Sequence, residues 1–101
     1  MTAIICSHDL LANAAMVQCQ QMGIRIPDDL SIIGFDDLPI CAYTYPPMTT
    51  VRQERIEIGK CGYYALDSLM NDVSIGTLLL HAKLIVRNST GEASGKQLSR
   101  I

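Results

Sequence analysis

The chain has 101 residues, of which 49% are hydrophobic, and a formal net charge of −2 at pH 7. That length and apolar content suit one small domain with a buried core and exclude a disordered chain. Its eight Lys and Arg residues are scattered along the sequence, so it lacks the basic stripe that nucleic-acid binding requires. We therefore expect these residues to make no direct contact with DNA.

Membrane insertion, export and metal binding are also disfavoured by the sequence. The apolar runs are too short to cross a membrane, and the N-terminus lacks the pattern of a secretory signal. Four cysteines stand singly in apolar stretches, without a C-x-x-C pair or a His/Cys spacing suited to zinc. We predict reduced, buried thiols, a cytoplasmic location, and neither a metal nor a cofactor.

The first half of the chain predicts a β-α-β unit. Residues 2–6 (TAIIC) are apolar and β-branched, as in a buried strand. Apolar residues at helical spacing run from Leu10 to Val17 and predict a helix that ends at Gly23. Residues 30–35 (LSIIGF) predict a second buried strand. Two buried strands joined by one helix are expected to be parallel.

The second half predicts shorter and more irregular elements. Residues 36–47 contain three of the four prolines, so they can hold only a helical turn or two. A β-prone stretch follows at 48–53, and residues 54–70 place their apolar positions on one face of a helix. Residues 78–90 predict a last strand region, and the polar tail at 91–101 is expected to be frayed.

Polar side chains follow both strands of the predicted β-α-β unit. Ser7, His8 and Asp9 come after the first strand, and Asp36 and Asp37 come after the second. Ligands of open parallel sheets bind outside the carboxyl ends of the strands, so we expect all five at one edge. A carboxylate there can accept two hydroxyl hydrogens, each worth roughly 1.5 to 3 kcal/mol. Such a site suits a sugar or a nucleoside.

Simpler roles compete with ligand binding at these positions. Asp9 and Asp37 are expected mainly to cap the helices that follow or to support the site indirectly, as Ser7 could. We assign ligand contact to Asp36, and His8 could either donate to a ligand hydroxyl or complete the turn. No nucleophile motif and no glycine-rich phosphate loop is present, so we predict that the protein is not an enzyme.

Three segments carry a family resemblance: TAIICSHDLLANAAM, GIRIPDDLSIIGFDDLPICAYTYPPMTTVRQ and LIVRNST. They resemble the C-terminal third of the lactose/galactose repressor (LacI/GalR) family of bacterial transcription regulators, from Thr2 to Thr90. The resemblance implies an α/β, partial periplasmic-binding-protein-like fold, with parallel strands flanked by helices and incomplete on its N-terminal side. It also implies the effector-sensing and dimerisation portion of a regulator that responds to a sugar or a nucleoside-like molecule.

The resemblance also divides the chain into regions. Residues 1–50 would belong to the C-terminal subdomain of the effector-binding core, and 51–53 would cross between its lobes. A helix within 54–77 would belong to the other lobe, 78–90 would return, and 91–101 would form a flexible tail.

The family's DNA-binding domain, which precedes the core, has no counterpart in this sequence. Operator DNA would therefore be bound only through that missing region, and the chain would be a truncated reading frame, an internal start or a fragment. In the complete regulator, the resemblance implies a homodimer.

Residue roles can be carried over from the resemblance at two positions. Asp36, the first Asp of the G-F-D-D motif, matches the family's effector-binding carboxylate. His8 stands where the family commonly has an effector-contacting Asn, so the contact is expected with altered chemistry. Two alternatives remain open: a sugar-binding protein of the same fold without a role on DNA, and a non-functional truncated fragment. We also expect the isolated chain to be poorly folded or to self-associate through exposed apolar surface.

Overall fold

The computed structural model describes residues 1–95. The elements, in chain order, are β1 (Ala3–Ile5), α1 (Asp9–Gln21), β2 (Ser31–Ile33), a 3₁₀ turn (Pro39–Ala42), β3 (Thr50–Arg52), α2 (Arg55–Met70) and β4 (Lys83–Ile85). Each predicted element is present, although every strand has only three residues. The predicted α/β fold class is confirmed.

The strands form two small sheets that share one bridge. β1 and β2 pair in parallel with Ala3 opposite Ser31, which confirms the predicted β-α-β pairing. β3 and β4 pair antiparallel, and a parallel bridge joins Ile33 to Thr49. β1, β2 and β3 therefore run in the same direction, and their carboxyl ends lie at one edge.

Gly23 ends α1, as the sequence predicts. Gly23 adopts a positive φ of 79°, and its amide donates to the carbonyl of Gln20 at 3.0 Å. The next amide, that of Ile24, reaches back to the carbonyl of Cys19 at 2.9 Å. These paired bonds satisfy carbonyls that a helix end would otherwise leave open, so the chain turns sharply toward β2.

One apolar cluster lies between α1 and the first sheet. α1 contributes three residues at helical spacing, and the opposing surface comes from the residue after β1, from β2 with the residue before it, and from the chain between β2 and β3. The buried members are Cys6, Ala12, Met16, Cys19, Leu30, Ile32, Cys41 and Met48. This apolar cluster is small. Polar contacts at its edge therefore do much to hold the surrounding loops in place.

A buried serine, Ser89, joins the segment after β4 to β2 through hydrogen bonds. The amide of Ile32 donates to the Ser89 carbonyl at 2.9 Å, and Ser89 Oγ donates to the Ile32 carbonyl at 2.5 Å. Ser89 Oγ also accepts from the Thr49 amide at 2.8 Å. Further along, the Gly91 amide donates to Ser31 Oγ at 3.1 Å. The end expected to fray from residue 91 is thus bonded at its start, and 96–101 lie outside the described residues.

The chain divides into two compact units. The first unit comprises Met1–Arg52 together with the described chain from Lys83 onward, and the second is Gln53–Ala82. Within the second unit, α2 is followed by residues 71–82 without further helix or strand.

The helix predicted over residues 54–70 is confirmed: α2 runs from Arg55 to Met70, inside the region 54–77 that the resemblance assigns to the other lobe. The end of the helix is set locally, because Asp72 has a positive φ of 58° and the amide of Val73 donates to the Ser68 carbonyl at 2.8 Å. A left-handed residue just past a helix end closes the helix in this way. Asp is one of the few non-glycine residues that adopt this conformation readily.

Candidate functional site

His8 provides the N-cap of α1. Its backbone is extended, with φ −160°, and its Nδ1 accepts a hydrogen bond from the Leu11 amide at 3.2 Å. The helix cap is therefore His8, and the prediction that Asp9 caps this helix is wrong. A neutral imidazole that accepts at Nδ1 carries its proton on Nε2. The exposed His8 side chain can thus complete the turn and still offer a donor to a ligand.

Asp9 is fully buried and braces the loop that follows β2. One carboxylate oxygen, Oδ2, accepts from the Leu38 amide at 2.6 Å. The other, Oδ1, accepts from Thr50 Oγ1, also at 2.6 Å. A buried carboxylate is stable only when its oxygens are satisfied in this way. Asp9 thus supports the candidate site from within the protein by joining the start of α1 to the Leu38 loop and to β3.

Gly34 leaves the space that the Asp9 carboxylate occupies. A Cβ added at Gly34 would overlap Asp9 Oδ1 and would lie 3.0 Å from Met48 Sδ. No side chain can therefore be placed at this position without displacing the buried carboxylate or its neighbours. The glycine before the acidic pair is needed for this close approach.

The loop that carries the acidic pair is fixed through three consecutive backbone amides. The Asp36 amide donates to the Val51 carbonyl at 2.7 Å. The Asp37 amide donates to Thr50 Oγ1 at 3.3 Å. The third amide, that of Leu38, donates to the buried Asp9 carboxylate. Because Thr50 Oγ1 also donates to that carboxylate, one hydroxyl joins the loops after β1 and β2.

Both residues of the acidic pair have left-handed backbone conformations. Asp36 has a φ of 111° and Asp37 a φ of 54°. Such conformations cost of order 1 to 3 kcal/mol for a residue with a Cβ, and they persist where surrounding contacts determine them. Here the hydrogen bonds of the three successive amides hold Asp36 and Asp37 in these conformations. The half-buried Asp36 side chain is consequently held at the carboxyl end of β2 by its main chain.

Asp37 is held between two arginines. Its Oδ2 accepts from Arg52 Nε at 2.7 Å, and its Oδ1 accepts from Arg87 Nη2 at 2.9 Å. Arg87 Nη1 also donates to the Met48 carbonyl at 3.0 Å. The residue that begins the following 3₁₀ turn is Leu38, without a side-chain cap. The prediction that Asp37 caps a helix is therefore wrong: Asp37 is the centre of an ion cluster.

Charge stabilises the ionised form of Asp37. Burial by itself would raise the pKa of this carboxyl group, whose side chain is only 9% exposed. The hydrogen bonds and positive charges of Arg52 and Arg87 outweigh that effect, so the pKa of Asp37 lies below its ordinary value. Asp37 is accordingly charged at neutral pH.

The cysteines near this site are unsuited to nucleophilic chemistry. Burial raises the pKa of Cys41 to about 12, and a hydrogen bond with Asp9 acts in the same direction. Burial also raises the pKa of Cys6 and of Cys19. All four cysteines are free thiols, and these three are buried as predicted, whereas Cys61 is half-buried. A thiol that stays protonated is a poor nucleophile.

The structure brings together most of the residues that the sequence singled out. Asp9, the Asp36 main chain and Asp37 belong to one hydrogen-bonded network, while Ser7 and His8 are exposed just after β1. Sequence reasoning missed three members of this network: Thr50, Arg52 and Arg87. The available signal was a run of polar residues within two strand-like motifs, TTVRQ and VRNST.

A shallow surface depression of about 460 Å³ lies away from this network, at the end of α1 and the start of the connection to β2. Its lining residues are Gln20, Gly23, Ile24, Arg25, Ile26, Asp28 and Tyr45. None of the predicted site residues takes part in it. Among residues 1–95, no group of three or more His, Cys, Asp and Glu could hold a metal ion. No helix of this described part is long and apolar enough to cross a membrane.

The sequence matches a known protein family over most of its length. Residues 1–90 match the periplasmic binding protein-like domain. The chain therefore belongs to the periplasmic binding protein-like family.

Relatives identified by sequence are named as transcription regulators. The HTH-type transcriptional repressor CytR of Escherichia coli is 40% identical over 91 residues, which cover 88% of this chain and 27% of CytR. The HTH-type transcriptional regulator MalR of Streptomyces coelicolor is 36% identical over 102 residues, covering 95% of this chain and 28% of MalR. The chain thus spans about a quarter of the length of these curated relatives.

Solved structures show the same relationship. A LacI family transcriptional regulator from Bifidobacterium animalis subsp. lactis superposes with a TM-score of 0.85 at 30% identity, covering 91% of this chain and 34% of the other. The lac repressor dimer bound to operator and the anti-inducer ONPF gives a TM-score of 0.82 at 30% identity, with coverages of 88% and 32%. These matches confirm the predicted partial periplasmic-binding-protein-like fold.

Proposed function

We propose that this chain senses a small-molecule effector as part of a bacterial transcription regulator of the lactose/galactose repressor type. The effector is a polyhydroxylated molecule, either a sugar or a nucleoside. The complete protein is a cytoplasmic homodimer, is not an enzyme, and binds operator DNA through a region outside these 101 residues. The names of the relatives and the family match support this proposal.

The observation that carries the proposal is the preorganised loop at the end of β2. Three successive amides are bound to the rest of the first unit, so the Asp36 main chain is fixed before any ligand arrives. A carboxylate presented in this way loses little conformational freedom on binding, which improves affinity for hydroxyl groups. Asp36 therefore accepts hydrogen bonds from ligand hydroxyls.

His8 is proposed as a second ligand contact. It follows β1, whose carboxyl end lies beside that of β2, and its Nδ1 is already used as the α1 cap. Only Nε2 then remains to donate, so His8 contacts an acceptor oxygen of the ligand, complementing the acceptor role of Asp36.

We also propose that the two units of the chain belong to different lobes of the effector-binding core. The chain leaves the first unit after Arg52 and returns at Lys83, which supports 51–53 and 78–90 as the connections. The second unit, with α2, then represents a part of the other lobe.

The test is binding of small molecules to the full natural protein. Isothermal titration with cellobiose, ribose, cytidine and adenosine covers both ligand classes. We expect at least one of them to bind, and Asp36→Asn to weaken that binding at least tenfold, since it removes the charge but keeps the shape of the side chain. Helix content by circular dichroism should not change.

Asp28→Asn is the matched control. Asp28 is an exposed carboxylate of the same unit on the connection that leads into β2, so its substitution should leave the affinity unchanged. If no member of the panel binds the wild-type protein, the proposed ligand class is wrong. If Asp36→Asn binds as tightly as the wild type, Asp36 is not a ligand contact.

A further inference from the structure

The ion cluster of Asp37, Arg52 and Arg87 is centred on the residue that follows the proposed ligand carboxylate of Asp36. We propose that Asp37 is a positioning residue through which ligand binding at Asp36 affects the β3–β4 strand pair. This inference rests on the proposed ligand role of Asp36. We call the three charged residues the arginine latch.

The latch joins three separate segments of the first unit. Asp37 belongs to the loop after β2, Arg52 is the last residue of β3, and Arg87 follows β4. Both arginines bond to different oxygens of the same carboxylate, at 2.7 and 2.9 Å. The loop is therefore tied by one side chain to both strands of the antiparallel pair.

The two arginines differ in how firmly they are held. The Arg87 side chain is 20% exposed, whereas that of Arg52 is 45% exposed. Arg87 is also fixed by its bond to the Met48 carbonyl. A charged hydrogen bond in a partly buried setting is screened less by water and salt. Arg87 is thus the more firmly held of the two arginines, and the ion pair between Arg52 and Asp37 is the one that can break first.

The position of Arg52 gives the latch a consequence for the rest of the chain. Arg52 pairs with Lys83 in the strand register, and the chain passes into the second unit directly after Arg52 and returns at Lys83. A change in Asp37 therefore acts on the two residues through which both connections run. Since Asp36 and Asp37 share a peptide bond, a ligand that restrains Asp36 also restrains the latch.

Backbone geometry strengthens this coupling. Asp36 and Asp37 both have positive φ values, so neither residue can rotate far without losing its bonded amide. The Asp36 amide is bonded to Val51, the β3 residue beside Arg52. Main chain and side chain of the acidic pair thus reach the same end of β3 by two routes.

The test combines amide hydrogen exchange with binding in the full natural protein. In Asp37→Asn, we expect the Asp36 and Leu38 amides to exchange at least tenfold faster, while Met16 in α1 is unaffected. We also expect affinity for cellobiose, ribose, cytidine or adenosine, whichever binds the wild type, to fall about tenfold. In the wild type, that probe should slow exchange of the Arg52 amide, and in Asp37→Asn this effect should be lost.

Asp29→Asn is the matched control, because Asp29 is also a weakly exposed carboxylate paired with an arginine. Its Oδ1 lies 3.1 Å from Arg25 Nη2, and its side chain is 12% exposed. It precedes β2 instead of following it. This variant should lose stability without changing exchange at Asp36, which separates a general stability effect from positioning.

Conservative rescue gives a second discriminating measurement. Arg87→Lys keeps the positive charge but lacks the second arm of the guanidinium, so it should retain more of the affinity than Arg87→Gln. Unchanged exchange at Asp36 and Leu38 in Asp37→Asn would overturn the proposal, and so would faster exchange with wild-type affinity. Absence of wild-type binding to every probe would instead remove the proposed function, while the exchange data would still decide whether Asp37 holds the loop.

Discussion

Asp36 and Asp37 are adjacent in the chain and have opposite relationships to their surroundings. Asp37 is almost buried, and both of its oxygens are bound by arginines. Asp36 is half-buried, and its backbone amide donates to the Val51 carbonyl. Both residues have positive φ values, and the two proposals above give Asp37 a supporting role and Asp36 the ligand contact.

At the residue scale, Gly34 offers a sharp prediction. Gly34→Ala should lower the free energy of unfolding by about 1 to 3 kcal/mol, because the new Cβ would overlap the Asp9 carboxylate and crowd Met48. Urea unfolding followed by circular dichroism measures this change.

A glycine without neighbours serves as the control for that substitution. Gly59 lies in α2 with no heavy atom within 4 Å of an added Cβ. Gly59→Ala should therefore be neutral or stabilising by up to about 1 kcal/mol, as alanine favours helix. Equal losses from both variants would contradict the packing argument at Gly34.

The residue roles were only partly predictable from sequence. The location of the polar residues at one sheet edge followed from the strand pattern, and that edge is confirmed by the pairing of β1 with β2. The sequence predicts Asp9 as the cap of α1, because Asp is a common N-cap, yet His8 occupies that position. Burial of Asp9 depends on Leu38 and Thr50, which are distant in sequence, so no local pattern could reveal it.

At the scale of elements, the strands are short and depend on side chains at their margins. Ser89 follows β4 and is completely buried, and its hydroxyl bonds to the main chain of Ile32 in β2 and of Thr49 just before β3. The two small sheets are therefore joined by a side chain as well as by the Ile33–Thr49 bridge.

Ser89→Ala should accordingly destabilise the first unit. The substitution leaves the Ile32 carbonyl and the Thr49 amide without their buried partner, and we expect a loss of about 1 to 3 kcal/mol. Thermal and urea unfolding provide the measurement. Ser74→Ala, at an exposed position of the second unit, should change stability by less than about 0.5 kcal/mol. A Ser89→Ala protein as stable as this control would show that the hydroxyl bridge is unimportant.

Element boundaries were less predictable than element types. Apolar periodicity correctly indicated both helices and the parallel strands. The end of α2 at Met70 agrees with the predicted helix over 54–70, but β2 covers only Ser31–Ile33 of the strand predicted over 30–35. Frayed chain was expected from residue 91, but Gly91 is bonded to Ser31. A hydrogen bond between residues so far apart in the chain leaves no periodic signal in the sequence.

At the scale of the whole molecule, the arginine latch makes stability depend on pH. The pKa of Asp37 lies below its ordinary value of 3.8, so ionised Asp37 stabilises the fold at neutral pH. That contribution is lost as the pH falls below 3.8 and through the lower pKa of the folded state. The stability difference between wild type and Asp37→Asn should therefore be largest near neutral pH and should shrink in acid.

Urea unfolding of both proteins between about pH 7 and about pH 3 would measure this difference. Comparison with Asp37→Asn isolates the latch, because the other acidic groups titrate in both proteins. A difference that stays constant across the range would mean that the charge of Asp37 does not stabilise the fold.

The second unit exposes an unusual amount of apolar surface for its size. α2 and the residues after it include large hydrophobic side chains that are between 43% and 86% exposed. These are Ile56, Ile58, Tyr63, Tyr64, Leu66, Leu69, Met70, Val73, Leu78, Leu79 and Leu80. Exposed apolar surface favours association. It supports the expectation that the isolated chain self-associates, which stays a prediction.

The amide-bonded loop of the acidic pair has a further consequence for how such a sensor can diversify. Its shape is held by three main-chain amides, by the Thr50 hydroxyl, and by a glycine and a buried carboxylate behind it. Because Asp36 has a positive φ, the replacements that leave this loop intact are those that tolerate such a conformation, Asn and Gly above all. If Asp36 has the proposed ligand role, a replacement there would alter ligand preference, whereas a side chain at Gly34 would displace the Asp9 carboxylate.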